Sequence, residues 1–156
     1  MNNELSPSQI EILKLIEEQK EIDLPPPRRN FDKTIIKVWT ISLSQWRVAK
    51  EKNIPLLDIT AKSGNPCFAP NFETVIAYKS GKVSEEDYTR LYYEKMRLSL
   101  KEYPDQWKAL LNASEVALAC YCPADVFCHR YLFQDMLEKY ANRHGVIIER
   151  CGEIKK

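Results

Sequence analysis

Between Glu115 and Cys122 the chain is apolar on both alternating sets, with Val116, Leu118 and Cys120 on one and Ala117, Ala119 and Tyr121 on the other. Successive side chains of a strand point to opposite faces. A strand of this kind has to be covered on both sides, which suits an inner strand of a parallel sheet. Further strands are expected at Thr34 to Ile41, Ile54 to Ala61 and Val146 to Cys151. Helices are expected at Ser44 to Asn53, Phe72 to Tyr78, Ser84 to Tyr103 and Phe127 to Arg143, the last from the helical spacing of Leu132, Phe133, Met136, Leu137, Tyr140 and Ala141. Ser84 with Asp87 three residues on reads as a helix start, and Tyr88, Tyr92, Met96, Leu100 and Tyr103 form a stripe read as core. Strands alternating with helices predict an α/β domain with a mostly parallel sheet.

At 156 residues, with 44% apolar and 29% charged, the composition is that of one globular domain with a single sizeable core. Residues 31–156 are assigned to that domain, and residues 1–30 to an N-terminal helical arm and connector. Ser6-Pro7-Ser8-Gln9 has the pattern of a capped helix start, and Leu24-Pro25-Pro26-Pro27-Arg28-Arg29-Asn30 reads as an extended spacer because its prolines lack backbone donors. The balance of 23 Lys and Arg against 22 Asp and Glu gives a net charge of +1, which argues against a dedicated duplex-DNA reader. Arg28, Arg29 and Lys33 beside Phe31 leave weak single-strand contact open, although nucleic acid is not the favoured partner. No apolar run approaches the roughly 20 residues that span a bilayer, and no apolar signal segment leads the chain. With an odd number of cysteines, five, the expectation is a cytoplasmic protein with reduced thiols and no membrane association.

Open α/β sheets bind ligands at the carboxyl ends of their strands, and this ranks the candidates. After the first strand come Ser42 and Ser44. The second carries Asp58 and Thr60 on one face and leads into Lys62-Ser63-Gly64, a segment able to hold an anion through its lysine, hydroxyl and permissive backbone. Lys79-Ser80-Gly81 repeats the tripeptide where a glycine helix end is the simpler reading. Asp58 orients a substrate hydroxyl or a histidine, or else caps local backbone amides. Trp39, Trp46 and Tyr121 are candidates to stack a base, each with a core role as the alternative.

After the third strand, Cys120 to Arg130 holds three cysteines, one of the two histidines and an arginine. With Asp125 as N-cap, Cys128, His129 and Arg130 fall in the first helical turn, where the helix field favours negative charge. Cys128 is then a candidate nucleophile with a depressed pKa, His129 its base and Arg130 a phosphate clamp; the alternative is a core thiol with structural neighbours. A cysteine-phosphatase loop is excluded, because five residues separate its thiolate and arginine, whereas seven separate Cys122 from Arg130. Cys120, Cys122, Cys128 and His129 could make a four-ligand zinc set, but zinc motifs usually separate their ligand pairs by a longer span than Pro123 to Phe127. No metal and no cofactor are expected.

Ile36 to Arg47, Leu57-Asp58-Ile59-Thr60-Ala61-Lys62-Ser63-Gly64, Phe68-Ala69-Pro70, Ser84 to Met96, Cys120 to Arg130 and Gly152-Glu153-Ile154 together resemble a phage-associated branch of the domain-of-unknown-function 488 family. Cys128-His129-Arg130 after a strand is the most specific part of the likeness, which spans roughly residues 34 to 154. The resemblance implies a Rossmann-like three-layer domain. It also implies variation at Cys120 and Cys122, which counts against an obligatory metal set. The resulting expectation is a small phage-type pocket protein that binds a phosphate-bearing, nucleotide-like molecule, a host immune signalling nucleotide being the example. Its ligand contacts would be Lys62, Ser63, Gly64, Thr60, Ser42, Cys122 and Arg130. The alternatives are a nucleotide- or nucleic-acid-processing enzyme using Cys128, His129 and Asp58 on a glycosidic or phosphoryl bond, and a protein-binding inhibitor acting through the arm from Ser6 to Lys20.

Overall fold

The computed structural model describes residues 9–10 and 34–156. Gln9 and Ile10 are helical. The helix start at Ser6, the proline-rich connector, the boundary near residue 30 and the basic patch around Phe31 lie outside the described residues. The strands are β1 (Thr34–Ser42), β2 (Leu56–Asp58), β3 (Glu115–Cys120) and β4 (Val146–Ile154). A short 3-10 turn (Leu43–Gln45) leads into α1 (Trp46–Glu51), followed by α2 (Phe72–Lys79), α3 (Glu85–Glu102), α4 (Pro104–Leu110) and α5 (His129–Arg143). The four strands form one all-parallel sheet in the order β2-β3-β1-β4.

The doubly apolar run is an inner strand, with β1 on one side and β2 on the other. Its two faces feed two different cores. Val116 and Leu118 pack in the larger one with Tyr92, Met96, Trp107 and Phe133, from α3, α4 and α5. Ala117 and Ala119 pack in the smaller one with Ile41, Ile54, Ile154 and Ala49 of α1. The result is a lopsided three-layer α/β domain, thick on the side where the helices carry aromatic side chains. Cys120 follows Val116 and Leu118 by strand alternation and enters the thick side.

Several boundaries differ from expectation for identifiable reasons. β2 is three residues long because the chain turns out of the sheet after Asp58, although the Ile59 amide still donates to the Ala119 carbonyl at 3.1 Å. β3 ends at Cys120, two residues early. Ser84 caps α3 as expected, its Oγ accepting the Asp87 amide at 3.0 Å. Tyr103 leaves the buried stripe because Pro104, which lacks an amide proton, cannot extend α3 and opens α4 instead. α4 was not anticipated, although Pro104 followed by Asp105 is a legible helix start.

β4 contains the feature that completes the interior. Arg150 lies opposite Val38 and Gly152 opposite Trp39, so the register slips at this point and Cys151 is the extra residue. Gly152 takes φ +91, a conformation glycine adopts without a side-chain penalty. The slip reverses the alternation downstream, and Glu153 comes to lie opposite Thr40 rather than on the thin side of the sheet.

The thick side also holds a buried polar chain. Trp107 Nε1 donates to Ser99 Oγ at 2.9 Å, Ser99 Oγ donates to the Cys67 carbonyl at 2.6 Å, and Tyr92 donates to the Phe68 carbonyl at 2.6 Å. These bonds fasten the loop after β2 to α3 and α4. Ser99→Ala strands the indole proton and the carbonyl together, and should lower unfolding free energy by about 1–3 kcal/mol, read from the urea midpoint at unchanged slope.

Candidate functional site

The carboxyl ends of β2 and β3 and the start of α5 meet around a cavity of about 180 Å3. Cys120, Cys122, Cys128 and His129 form one part of its lining, and Thr60 and Lys62 reach it from the loop after β2. The opposite wall is aromatic: Tyr78, Tyr88 and Phe127 stack pairwise with ring centroids 5.2–5.4 Å apart. Lys62 Nζ lies 5.4 Å from the Phe72 ring, and Lys79 adds a second cationic side chain to the lining. A larger cleft of about 460 Å3 borders α3 near Lys95 and Leu98, but it includes no cysteine or histidine.

His129 orders the cysteine end of the cavity. Its Nε2 lies 2.5 Å from the Ile59 carbonyl oxygen, which can only accept, so Nε2 carries the proton. Nδ1 therefore presents its lone pair, at 3.7 Å from Cys128 Sγ and 4.0 Å from Cys120 Sγ. Burial draws the imidazole pKa down to about 4 against the opposing pull of the Ile59 bond, so the ring is neutral near pH 7. Tyr92 packs edge-on against it at 5.5 Å. Cys120 donates to Cys122 Sγ at 3.8 Å. Cys122 is drawn strongly down by hydrogen bonds from the Cys120 and Cys128 thiols, with smaller help from Lys79 and Arg130.

The start of α5 differs from expectation. Asp125 is not its N-cap: it sits at φ +63 in the preceding turn, and its carboxylate pairs with Lys155 at 3.0 Å. Cys128 occupies the N-cap position, with His129 and Arg130 next. The Cys128 thiol is buried at the cavity floor, and its pKa moves up rather than down. The neighbouring Cys120 and Cys122 sulfurs raise it most, and burial adds to the shift.

Arg130 does not reach the cavity. It is fully buried, donating to the Cys122 carbonyl at 3.2 Å and the Pro123 carbonyl at 2.9 Å, and pairing with Glu153 at 3.2 Å. Glu153 also accepts from Thr40 at 2.6 Å and from Tyr131 at 3.1 Å. The guanidinium thus braces the Cys122-Pro123 turn from beneath instead of clamping a phosphate.

The loop after β2 divides its residues between lining and bracing. Asp58 Oδ1 accepts the Thr60 amide at 2.9 Å, and Oδ2 accepts the Ser63 hydroxyl at 2.9 Å. Asp58 thereby takes the capping role that was its alternative. Ser63 and Gly64 belong to this turn and are not among the lining residues. A Cβ on Gly64 would meet the Thr60 amide nitrogen at 2.4 Å and the Asp58 carbonyl at 2.7 Å, so close backbone approach explains the glycine. Ser42 is buried beside Ser44 at 3.1 Å and is also outside the lining. Of the three proposed stacking residues only Tyr121 borders the cavity; Trp39 donates to Glu115, and Trp46 lies on α1 under Arg47.

Lys79, Tyr78 and Tyr88 were the residues sequence reasoning missed. Gly81 does sit past the end of α2 at φ +80, as a helix-ending glycine should, yet the lysine of that same tripeptide reaches the cavity. The repeated Lys-Ser-Gly was the available signal. Tyr88 was read as core, and it is both buried and lining.

Glu153→Ala leaves the Arg130 charge buried without its partner, and should cost about 3–5 kcal/mol in chemical denaturation. Gly64→Ala forces side-chain volume into the Asp58–Thr60 backbone and should cost about 1–3 kcal/mol by the same measurement.

No curated protein and no solved structure matches the chain significantly. A family model does, over residues 32–141, a span that includes β1, β2, β3, the cavity and most of α5. That model is DUF488-N3a, described as the active DUF488-N3 subclade, and the chain belongs to this DUF488 family.

Proposed function

We propose that the cavity binds a phosphate-bearing, nucleotide-like small molecule, with its planar part against the aromatic wall and its anionic part at Lys62 and Lys79. The observation that carries this reading is the pairing of a three-ring wall with two lysines at the carboxyl edge of a parallel sheet. A volume of about 180 Å3 is below the ~300–1,000 Å3 common for small-molecule sites, so it suits a ring with the phosphate held at the rim. Thr60 supplies a neutral contact beside Lys62. The finer reading follows the sequence likeness carried by Cys128-His129-Arg130: a phage-associated protein of the cytoplasm that holds a host immune signalling nucleotide without altering it.

A second reading is enzymatic. Cys128 and His129 both line the cavity with Sγ and Nδ1 3.7 Å apart, and the matching family model carries the word active in its description. Here a bound nucleotide would be cleaved at its glycosidic or phosphoryl bond.

Titration calorimetry against a panel of mono-, di- and cyclic nucleotides tests the binding. Replacing both Lys62 and Lys79 by alanine should weaken the best ligand by about tenfold or more, since each charged hydrogen bond contributes ~1.5–3 kcal/mol. Absence of heat across the whole panel overturns the proposal. Mass spectrometry of the ligand then separates the two readings. Quantitative recovery of unaltered ligand after denaturation supports sequestration, whereas a product formed by the wild type and lost in Cys128→Ser supports catalysis.

A further inference from the structure

The geometry points to a zinc site at the cysteine end of the cavity, with Cys120, Cys128 and His129 as ligands and Cys122 completing the tetrahedron. It is independent of nucleotide binding, whose contacts are Lys62, Lys79 and the aromatic wall, and it competes with the enzymatic reading, which needs Cys128 and His129 free of metal. Cys120, Cys128 and His129 are each buried, and their ligand atoms all lie within 4.8 Å of one another. A tetrahedral ion with Zn–S bonds of about 2.3 Å and Zn–N bonds of about 2.0–2.1 Å sets its sulfurs about 3.8 Å apart and its sulfur and nitrogen about 3.6 Å apart. The Cys120–Cys122 separation is 3.8 Å, and His129 Nδ1 lies 3.7 and 4.0 Å from the Cys128 and Cys120 sulfurs. One ion can therefore be reached by Cys120, Cys128 and His129 together, and Cys122, whose sulfur lies 3.8 Å from that of Cys120, is the neighbour that turns in as the fourth ligand.

The histidine supplies a second, independent observation. A metal-binding imidazole turns its bare nitrogen to the ion and donates its other N–H to a carbonyl or carboxylate, which fixes the tautomer. His129 has this arrangement, with Nε2 held by the Ile59 carbonyl and Nδ1 facing sulfur. The ligands are also held by separate supports. Cys120 ends β3, Arg130 braces the Cys122 carbonyl, and the backbone passes from extended at Cys128 to helical at His129, which lets two adjacent side chains converge. None of the three cysteines is in a disulfide. A donor set of three thiolates and one imidazole favours zinc over magnesium or calcium, which take oxygen ligands.

This revises the spacing argument made from the sequence. Pro123 to Phe127 is a short return between ligand pairs, but the pairs do not need a long span when a strand end and a helix start already face each other.

The full chain, produced in zinc-supplemented medium and purified under reducing conditions, should contain equimolar zinc by elemental analysis. Replacing zinc with cobalt(II) should produce the charge-transfer and ligand-field absorption of a tetrahedral thiolate complex. A strong chelator should lower the melting temperature. Cys120→Ser and His129→Gln should lose the metal, whereas Cys151→Ser should retain it. Cobalt binding by the reduced wild type does not depend on the variants folding. The proposal is overturned if the reduced wild type holds no zinc and shows no cobalt spectrum, or if Cys151→Ser loses the metal while Cys120→Ser keeps it. A Cys120–Cys122 disulfide recovered in place of metal, and unaffected by reductant and added zinc, also overturns it.

Discussion

The two-sided burial of β3 is the constraint on which the rest of the molecule depends. Because alternate residues enter different cores, the strand has no freedom to slip by one position without exchanging Val116 and Leu118 for Ala117 and Ala119. That register delivers Cys120 to the thick side of the sheet, at the level where β2 ends and α5 begins. The sulfur cluster, the neutral imidazole and the aromatic wall are then neighbours by construction. A shift of one residue would place the same thiol against α1, on a side where the core is built from alanine and isoleucine.

A buried cation holds this arrangement in place. Arg130 carries its charge into the interior, where a lone charge is costly, and Glu153 offsets it only because the β4 slip at Gly152 turns that carboxylate to the correct side. Through the Cys122 and Pro123 carbonyls the same guanidinium fixes the turn between β3 and α5. The arginine beside the cysteine and histidine is thus a positioning residue for the cavity. Cys128 and His129 just before it face the cavity, while it faces the opposite way with Tyr131 against Glu153, as expected where a helix begins and successive side chains diverge by about 100°.

Much of the fold was legible because its signals are local. The cap at Ser84, the stripe from Tyr88 to Leu100 and the two faces of β3 each follow from spacing along one element, and each stands where it was expected. The errors fall where a distant group decides. Asp125 has the side chain of an N-cap, but the turn it occupies is drawn to Lys155 and Tyr131, and the helix begins three residues later. Lys62-Ser63-Gly64 has the composition of an anion loop, yet Asp58 claims the serine and the backbone packing claims the glycine, leaving the lysine for the cavity. Lys79 stands at a helix end, and the repeated Lys-Ser-Gly hints at its role, but only the packing of Tyr78 against Phe127 brings α2 over the cavity.

What the sequence determined by itself is the class of molecule: an α/β domain with a parallel sheet, a two-faced inner strand and a chemically dense corner from Cys120 to His129. These follow from hydrophobic period and helix punctuation, which act over a few residues. The tertiary structure alone decided which side chains of that corner share a space. Arg130 was turned away by a carboxylate 23 residues on, and His129 was set in one tautomer by a carbonyl 70 residues back. Both outcomes rest on buried polar groups that must find partners, and the partner is chosen by packing geometry rather than by sequence neighbourhood.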